Sequence, residues 1–118
     1  MTAFTKVVYA LLGTFAVVAG VVALVMPSLA LPPGITVPIA SHLVREEASA
    51  FVFIGLMFVW LLRHAEQGRP VHLALLVFTV LFAAIHWADY LKSYREILSP
   101  LINSVPAVLL AATIPKPA

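Results

Sequence analysis

The stretch PVHLALLVFTVLFAAIHWADYLKSY, residues 70–94, decides the fold that this sequence encodes. It is long enough to cross a bilayer, which takes about 20 mostly apolar helical residues. Polar side chains recur in it at every seventh position and so fall near one stripe of a helix. These residues are His72, Thr79, His86 and Ser93. Asp89 lies near the same face. The pattern predicts a membrane helix whose polar stripe is covered by other helices.

The composition predicts that the solvent of this chain is largely lipid. Its 118 residues are 63% hydrophobic and 10% charged, whereas soluble domains carry about 25% charged residues. The formal net charge is +2, but the basic residues are scattered singly, which suits membrane-interface anchors and argues against a nucleic-acid partner. The chain has no cysteine, which excludes disulfides and thiolate sites.

Four apolar segments predict an all-α fold, an integral membrane bundle of four transmembrane helices in a single domain over residues 1–118. The predicted spans are about 5–26, 44–63, 70–94 and 99–114. The first apolar run is about 20 residues, beyond the ~7–15 of a signal-peptide core, which favours a span. The connection 27–43 is rich in proline, so we expect a non-helical loop at the membrane interface or against a partner.

The shorter connections set the expected topology. The link over residues 64–69 is short and polar, which predicts that spans two and three form a tight antiparallel hairpin. Ser99 and Pro100 predict the cap and first residue of the last helix, and Pro106 predicts a kink in it. Four spans place both termini on one side. Four basic residues on that side against three on the other favour the cytoplasm.

Small residues predict close helix packing. Gly13, Ala16 and Gly20 lie near one face of the first span, and Ala16 with Gly20 forms a small-xxx-small pair. Gly55 is the corresponding small residue of the second span. Packing inside the bundle and a homodimer face are the two interpretations of this pattern.

A candidate polar cluster follows from the predicted hairpin. It would bring the start of span two, Arg45, Glu46 and Glu47, to the depth of His86 and Asp89 near the end of span three. In one interpretation His86 bonds Glu47 or a backbone carbonyl and has a structural role. The alternatives are a proton relay or ion pathway, and a site for a small molecule or lipid headgroup.

A pigment is a further alternative for the histidines. His72 and His86 are fourteen residues apart on one face, which is about 21 Å along a helix. That spacing resembles the paired haem ligands of b-type cytochromes, although the second pair of such ligands is missing here. A single five-coordinate haem or chlorin therefore stays open as an alternative to no cofactor. No motif predicts a catalytic residue or a metal site.

The layout is similar to that of small uncharacterised four-helix membrane proteins of the DoxX-like group. The shared features are Pro27 after the first span, Arg45 and Glu46 before a span with Gly55, the basic turn 63–69, and the pair 99–100. The resemblance implies the architecture and no active site. Size and span count also resemble the small multidrug-resistance transporters. Their essential acidic residue in the first span has no counterpart here.

These observations favour a non-enzymatic accessory or assembly subunit of a larger membrane complex. Its expected partners are the lipid bilayer and other membrane subunits. The alternative is a small proton-coupled transporter or ligand-binding membrane protein that uses Glu47, His86 and Asp89. A membrane enzyme is a third hypothesis and needs a pocket near His86.

Overall fold

A computed structural model describes residues 1–35, 37–92 and 96–117. Within these ranges the chain forms four α-helices and a short 3-10 helix, and no β-strand. The α-helices are α1 (Ala3–Val25), α2 (Pro38–Arg63), α3 (Arg69–Lys92) and α4 (Leu98–Ala112), and the 3-10 helix is Pro27–Ala30. The prediction of an all-α chain with four helices is confirmed.

Two of these helices, α1 and α3, are long and apolar enough to cross a membrane by length and composition. α2 has 26 residues, but its charged residues restrict the longest uncharged run to Ala48–Leu62. α4 has 15 residues. At about 1.5 Å per residue, fifteen residues extend over only about 22 Å. Length and composition therefore support a membrane span for α1 and α3 more strongly than for α2 and α4.

The connection between α1 and α2 is shorter than the predicted loop 27–43. The helix α2 begins at Pro38 rather than at Val44, and part of the remaining segment is the 3-10 helix. Proline fits the first helical position because a backbone N–H there has no intrahelical acceptor, so its absence in proline loses no hydrogen bond. Gly34, at φ +85°, has the positive φ that glycine adopts without steric cost.

The start of α4 also differs from the prediction. Its N-cap position is Ile97, without a side-chain capping bond. Ser99 is thus inside the first turn and is not the cap. Pro100 still lies among the first residues of the helix, where a missing N–H leaves no intrahelical bond unmade. Pro106 lies inside α4, and the kink expected from it stays a prediction.

The chain separates into two compact units. The first contains residues 1–8 and the chain from His64 onward, and the second contains Tyr9–Arg63. In the first unit α3 packs against α4. The first half of the polar stripe of α3 is directed inward, because His72 and Thr79 are buried at 0% and 8% exposure, whereas His86 is half-buried. Ser93, the last residue predicted for the stripe, lies outside the described residues, as does the predicted end of that span at Tyr94.

The second unit combines most of α1 with α2 and the 3-10 helix. An aromatic contact in this unit joins Tyr9 and Phe58, whose ring centroids are 6.0 Å apart. Both of these side chains are buried at 2% exposure. An aromatic pair at this distance adds to the apolar packing of the two helices.

Candidate functional site

Three glycines lie where α1 and α2 approach most closely in the second unit. A Cβ atom on Gly55 would lie 2.5 Å from Val17 Cγ2 and 2.9 Å from the carbonyl oxygen of Gly13. A Cβ on Gly20 would lie 2.8 Å from Val52 Cγ2 and 2.9 Å from the carbonyl oxygen of Ala48. Real Cβ atoms essentially never come within 3.0 Å of such atoms. The structure thus places Gly13, Gly20 and Gly55 at a contact between helix backbones.

Ala16 lies on the same side of α1 as these glycines and is 5% exposed. With Gly13 and Gly20 it forms the small-residue face that the spacing predicts. Within the second unit this face is occupied by α2, through the glycine contacts just described. Close packing of this kind is typical of membrane helices. Apolar side chains gain little free energy by moving from lipid to protein, so the close approach of the backbones provides the van der Waals contact that holds the helices together.

His72 joins α3 to the C-terminal end of α4 in the first unit. Its Nε2–H donates to the carbonyl oxygen of Leu110, with an N–O distance of 3.0 Å. The same oxygen accepts the backbone N–H of Thr113 at 3.1 Å. The Thr113 hydroxyl donates to the carbonyl oxygen of Leu109 at 2.8 Å and lies 3.3 Å from that of Leu110. The last carbonyls of a helix lack intrahelical donors. His72 therefore caps the end of α4 from a neighbouring helix.

Arg69 adds a second connection at this end of the first unit. Its Nε–H donates to the carbonyl oxygen of Pro115 at 3.2 Å. The first turn of α3 thus binds both the last turn of α4 and the tail that follows it. Neither bond has a sequence signature, because the acceptors are backbone oxygens that every residue has.

A second polar contact joins the two helices further along α3. Trp87 Nε1–H donates to Ser104 Oγ at 2.8 Å, and the Ser104 hydroxyl donates to the carbonyl oxygen of Pro100 at 2.7 Å. Beside it, Asn103 Nδ2 donates to the carbonyl oxygen of Ser99 at 2.8 Å. The sequence predictions above do not include this contact. The signal that points to it is the group of polar residues 99, 103 and 104, which lie close together on an apolar helix.

Replacing Trp87 with phenylalanine is expected to destabilise the packing of α3 on α4. The indole N–H bond to Ser104 is lost while most of the aromatic surface stays, so we expect a cost of about 0.5–1.5 kcal/mol. Thermal unfolding in detergent, followed by circular dichroism, measures it. In a double-mutant cycle with Ser104→Ala the two effects should not add. Strict additivity would show that the bond contributes nothing.

His86 forms a side-chain hydrogen bond within its own helix, α3. Its Nδ1–H donates to the carbonyl oxygen of Phe82 at 2.9 Å, and the two rings lie 4.7 Å apart between centroids. Phe78 stacks on Phe82 one turn earlier at 5.8 Å. Of the alternatives for His86, this geometry matches a hydrogen bond to a backbone carbonyl. The bond stays within α3, so it does not join two helices.

The other residues of the candidate polar cluster lie at the surface. Arg45, Glu46 and Glu47 are exposed on α2, and Asp89 is exposed on α3. Glu46 Oε1 lies 3.2 Å from Nε2 of His42, one turn earlier in the same helix, and both side chains are more than 60% exposed. Exposed pairs of this kind contribute little stability. Because α2 and α3 belong to different units, a cluster that joins them stays a prediction.

The described residues contain no group of three or more His, Asp or Glu arranged to hold a metal ion. A pigment bound at His72 would compete with a hydrogen bond that this side chain already makes. Its Nε2 is bonded to Leu110, so an iron or magnesium at that nitrogen would have to replace the bond that caps α4.

No protein-family model, curated protein or solved structure matches this chain. The geometry above defines its class as an all-helical protein with two candidate membrane spans. Backbone contacts at glycines join α1 to α2, and polar contacts join α3 to α4.

Proposed function

We propose that this chain is an integral membrane protein whose four helices all cross the bilayer, and that it serves as a non-enzymatic accessory or assembly subunit of a larger membrane complex. The observation that supports this most strongly is the apolar surface of every helix. Phe15 of α1, Phe53 of α2, Ile85 of α3 and Val108 of α4 are each at least 59% exposed. Monomeric soluble proteins rarely expose large contiguous apolar surface.

The pattern along α1 illustrates the point. Apart from Val21 and Leu24 near its end, the exposed large apolar residues of α1 recur at intervals of three or four, which places them along one side of the helix. They are Phe4, Val7, Leu11, Phe15, Val18, Val22 and Val25. This side differs from the one that carries Gly13, Ala16 and Gly20. In a bilayer the small-residue side packs on protein and the large-residue side meets lipid.

The polar side chains support the same assignment. Among the described residues, every buried side-chain nitrogen or oxygen atom has a hydrogen-bond partner. Thr79, for example, donates to the carbonyl oxygen of Leu76 at 2.9 Å. A helix in hydrocarbon needs this satisfaction, because an unpaired polar group has no water to bind.

Two helices have short uncharged stretches, α2 with residues 48–62 and α4 with its 15 residues, and they require an adjustment of the bilayer. About 22 Å of uncharged helix must match a hydrocarbon core of about 30 Å. Local thinning, or side chains that extend to the interface, accommodates the mismatch at fractions of a kcal/mol per Å. Arg45 and Glu46 before the uncharged stretch of α2 and Arg63 after it are long enough to reach the interface in this way.

The subunit role rests on the apolar connection between α1 and α2. Leu29, Ile35 and Val37 are each at least 45% exposed there, although the connection lies at the end of the helices. Ile39, in the first turn of α2, is 57% exposed. Surface of this composition is stabilised when another protein or the membrane interface covers it. Short connections and the absence of a catalytic motif in the sequence agree with a role in assembly.

The four-span topology is tested by labelling single cysteines from one side of sealed vesicles. The native chain has no cysteine, so each introduced thiol reports one position. We expect Thr2→Cys, Glu66→Cys and Lys116→Cys to label from the same side, and Pro33→Cys from the other. Labelling of position 116 from the opposite side would show that α4 does not span.

The subunit role is tested on native membranes. We expect the protein to resist extraction by alkaline carbonate, and to elute after gentle detergent extraction in a complex much larger than its own 12.7 kDa. Mass spectrometry of that peak identifies the stoichiometric partners. Release by carbonate would contradict the membrane assignment. Elution as a monomer without partners would contradict the subunit role alone.

A further inference from the structure

We propose that the end of the protein formed by Arg69 and the C-terminal tail binds the headgroups of anionic phospholipids. This inference rests on the proposed membrane function and names a specific lipid class as partner. Its basis is a structural contact that brings two basic side chains, distant in sequence, to the same end of the first unit.

The contact is the hydrogen bond from Arg69 Nε to the carbonyl oxygen of Pro115, at 3.2 Å. Lys116 is the next residue after Pro115, so the bond holds its backbone beside the first turn of α3. The side chains of Arg69 and Lys116 are both exposed. Without this bond the tail would have one fewer attachment, and the position of Lys116 relative to Arg69 would be less restricted.

The neighbouring sequence strengthens the positive charge at this end. Arg63 ends α2, and the connection from there to Arg69 contains His64 and, as its single acidic residue, Glu66. In the proposed four-span arrangement Lys6 lies on this side too. The side then has four Lys and Arg against one acid, a net +3 with neutral histidines.

The opposite side has the reverse balance. Its basic residues number three and its acidic residues four, a net −1. They are Arg45, Lys92 and Arg95, against Glu46, Glu47, Asp89 and Glu96. The net charge of +2 for the whole chain conceals this difference between the two ends. A membrane leaflet with anionic lipids attracts the first end and repels the second weakly.

The chemistry of the two side chains fits a phosphate ester at the membrane surface. A guanidinium group donates two parallel hydrogen bonds to phosphate oxygens, and an ammonium group provides a mobile point charge. Each Lys or Arg near an anionic surface favours the contact by roughly fivefold. The apolar surface of α3 and α4 beside them is available to the acyl chains of the same lipid, so we assign a lipid rather than free phosphate.

The test compares two double variants with the same change of charge. Arg69→Gln with Lys116→Gln removes two positive charges from the proposed site, and Arg45→Gln with Lys92→Gln removes two from the opposite side. Each protein is reconstituted in nanodiscs of phosphatidylcholine and phosphatidylglycerol and extracted gently. The phosphatidylglycerol molecules retained per protein are then counted by native mass spectrometry.

We expect the first double variant to retain at least tenfold fewer phosphatidylglycerol molecules per protein than the native chain. The second double variant should retain as many as the native chain. Arg69→Lys, which keeps the charge, should lose less than Arg69→Gln. Inorganic phosphate in large excess over the lipid should not displace it. Displacement would assign the site to free phosphate and overturn the lipid proposal.

Two further results would contradict the inference. Equal loss in both double variants would show that only net charge matters and that no site exists at this end. A native chain that retains no excess of phosphatidylglycerol would overturn it directly, while the membrane assignment would stand. A chain that does not enter nanodiscs at all would overturn the membrane function itself.

Discussion

Replacing His72 with alanine is expected to cause the largest loss of stability among single substitutions in the first unit. The substitution deletes a side chain that is 0% exposed and removes the donor from the Leu110 carbonyl. A cavity in a packed core and a lost hydrogen bond together predict a cost of about 2–4 kcal/mol. Thermal unfolding in detergent, monitored by the fluorescence of Trp87 and Trp60, measures the loss.

Two further variants separate the cavity from the hydrogen bond. His72→Phe refills the volume and removes the donor, so we expect a loss of only about 1 kcal/mol, since the backbone N–H of Thr113 still donates to the Leu110 oxygen. His42→Ala is the matched control, because its side chain is 64% exposed, and it should change stability by less than about 0.5 kcal/mol. Equal effects of His72→Ala and His42→Ala would contradict the assigned role.

Gly55→Ala is expected to be the most disruptive small substitution in the second unit. The added methyl group would lie 2.5 Å from Val17 Cγ2 and 2.9 Å from both the Gly13 carbonyl oxygen and the Val17 backbone nitrogen. Alanine gains about 0.8–1.0 kcal/mol over glycine in a helix interior. Because two of the clashing atoms belong to the backbone, the helices must separate, and we expect a net loss of about 1–3 kcal/mol.

The contribution of each clash is separated by a second substitution. Adding Val17→Ala removes the Cγ2 clash but leaves both backbone contacts, so it should restore only part of the lost stability. Ala50→Leu is the control, because it adds a larger group at an exposed position of the same helix. We expect it to have little effect. Full recovery in the Gly55→Ala and Val17→Ala double variant would show that the helix backbones are not in tight contact.

The helical architecture was predictable from two features of the sequence. Its composition is strongly apolar, and proline and charged residues divide it into four apolar segments, which leaves few folds other than a set of helices. The bounds were less predictable at α2 and α4. Proline is compatible with several positions of a first helical turn, so neither Pro38 nor Pro100 fixes where its helix begins. Ser99 has the chemistry of a cap, but the structure places Ile97 at that position.

The candidate site was predictable only as a set of unusual residues, and their partners were not. The sequence identified His72 and His86 as polar residues in an apolar helix. Their acceptors are the backbone oxygens of Leu110 and Phe82, which no residue type signals. The glycines were easier, because a small side chain in a membrane helix has few explanations other than close approach.

The glycine contact between α1 and α2 also has an evolutionary consequence. Wherever two backbones touch, selection can accept almost no variation, since every other residue adds at least a methyl group. We therefore expect related sequences to keep glycine at positions 20 and 55, and glycine or alanine at 13 and 16. Positions 11, 15 and 18 on the exposed side of α1 should exchange freely among large apolar residues. Sequence differences between relatives would then be concentrated on the exposed side of the helix. The positions where the backbones of α1 and α2 touch would change least.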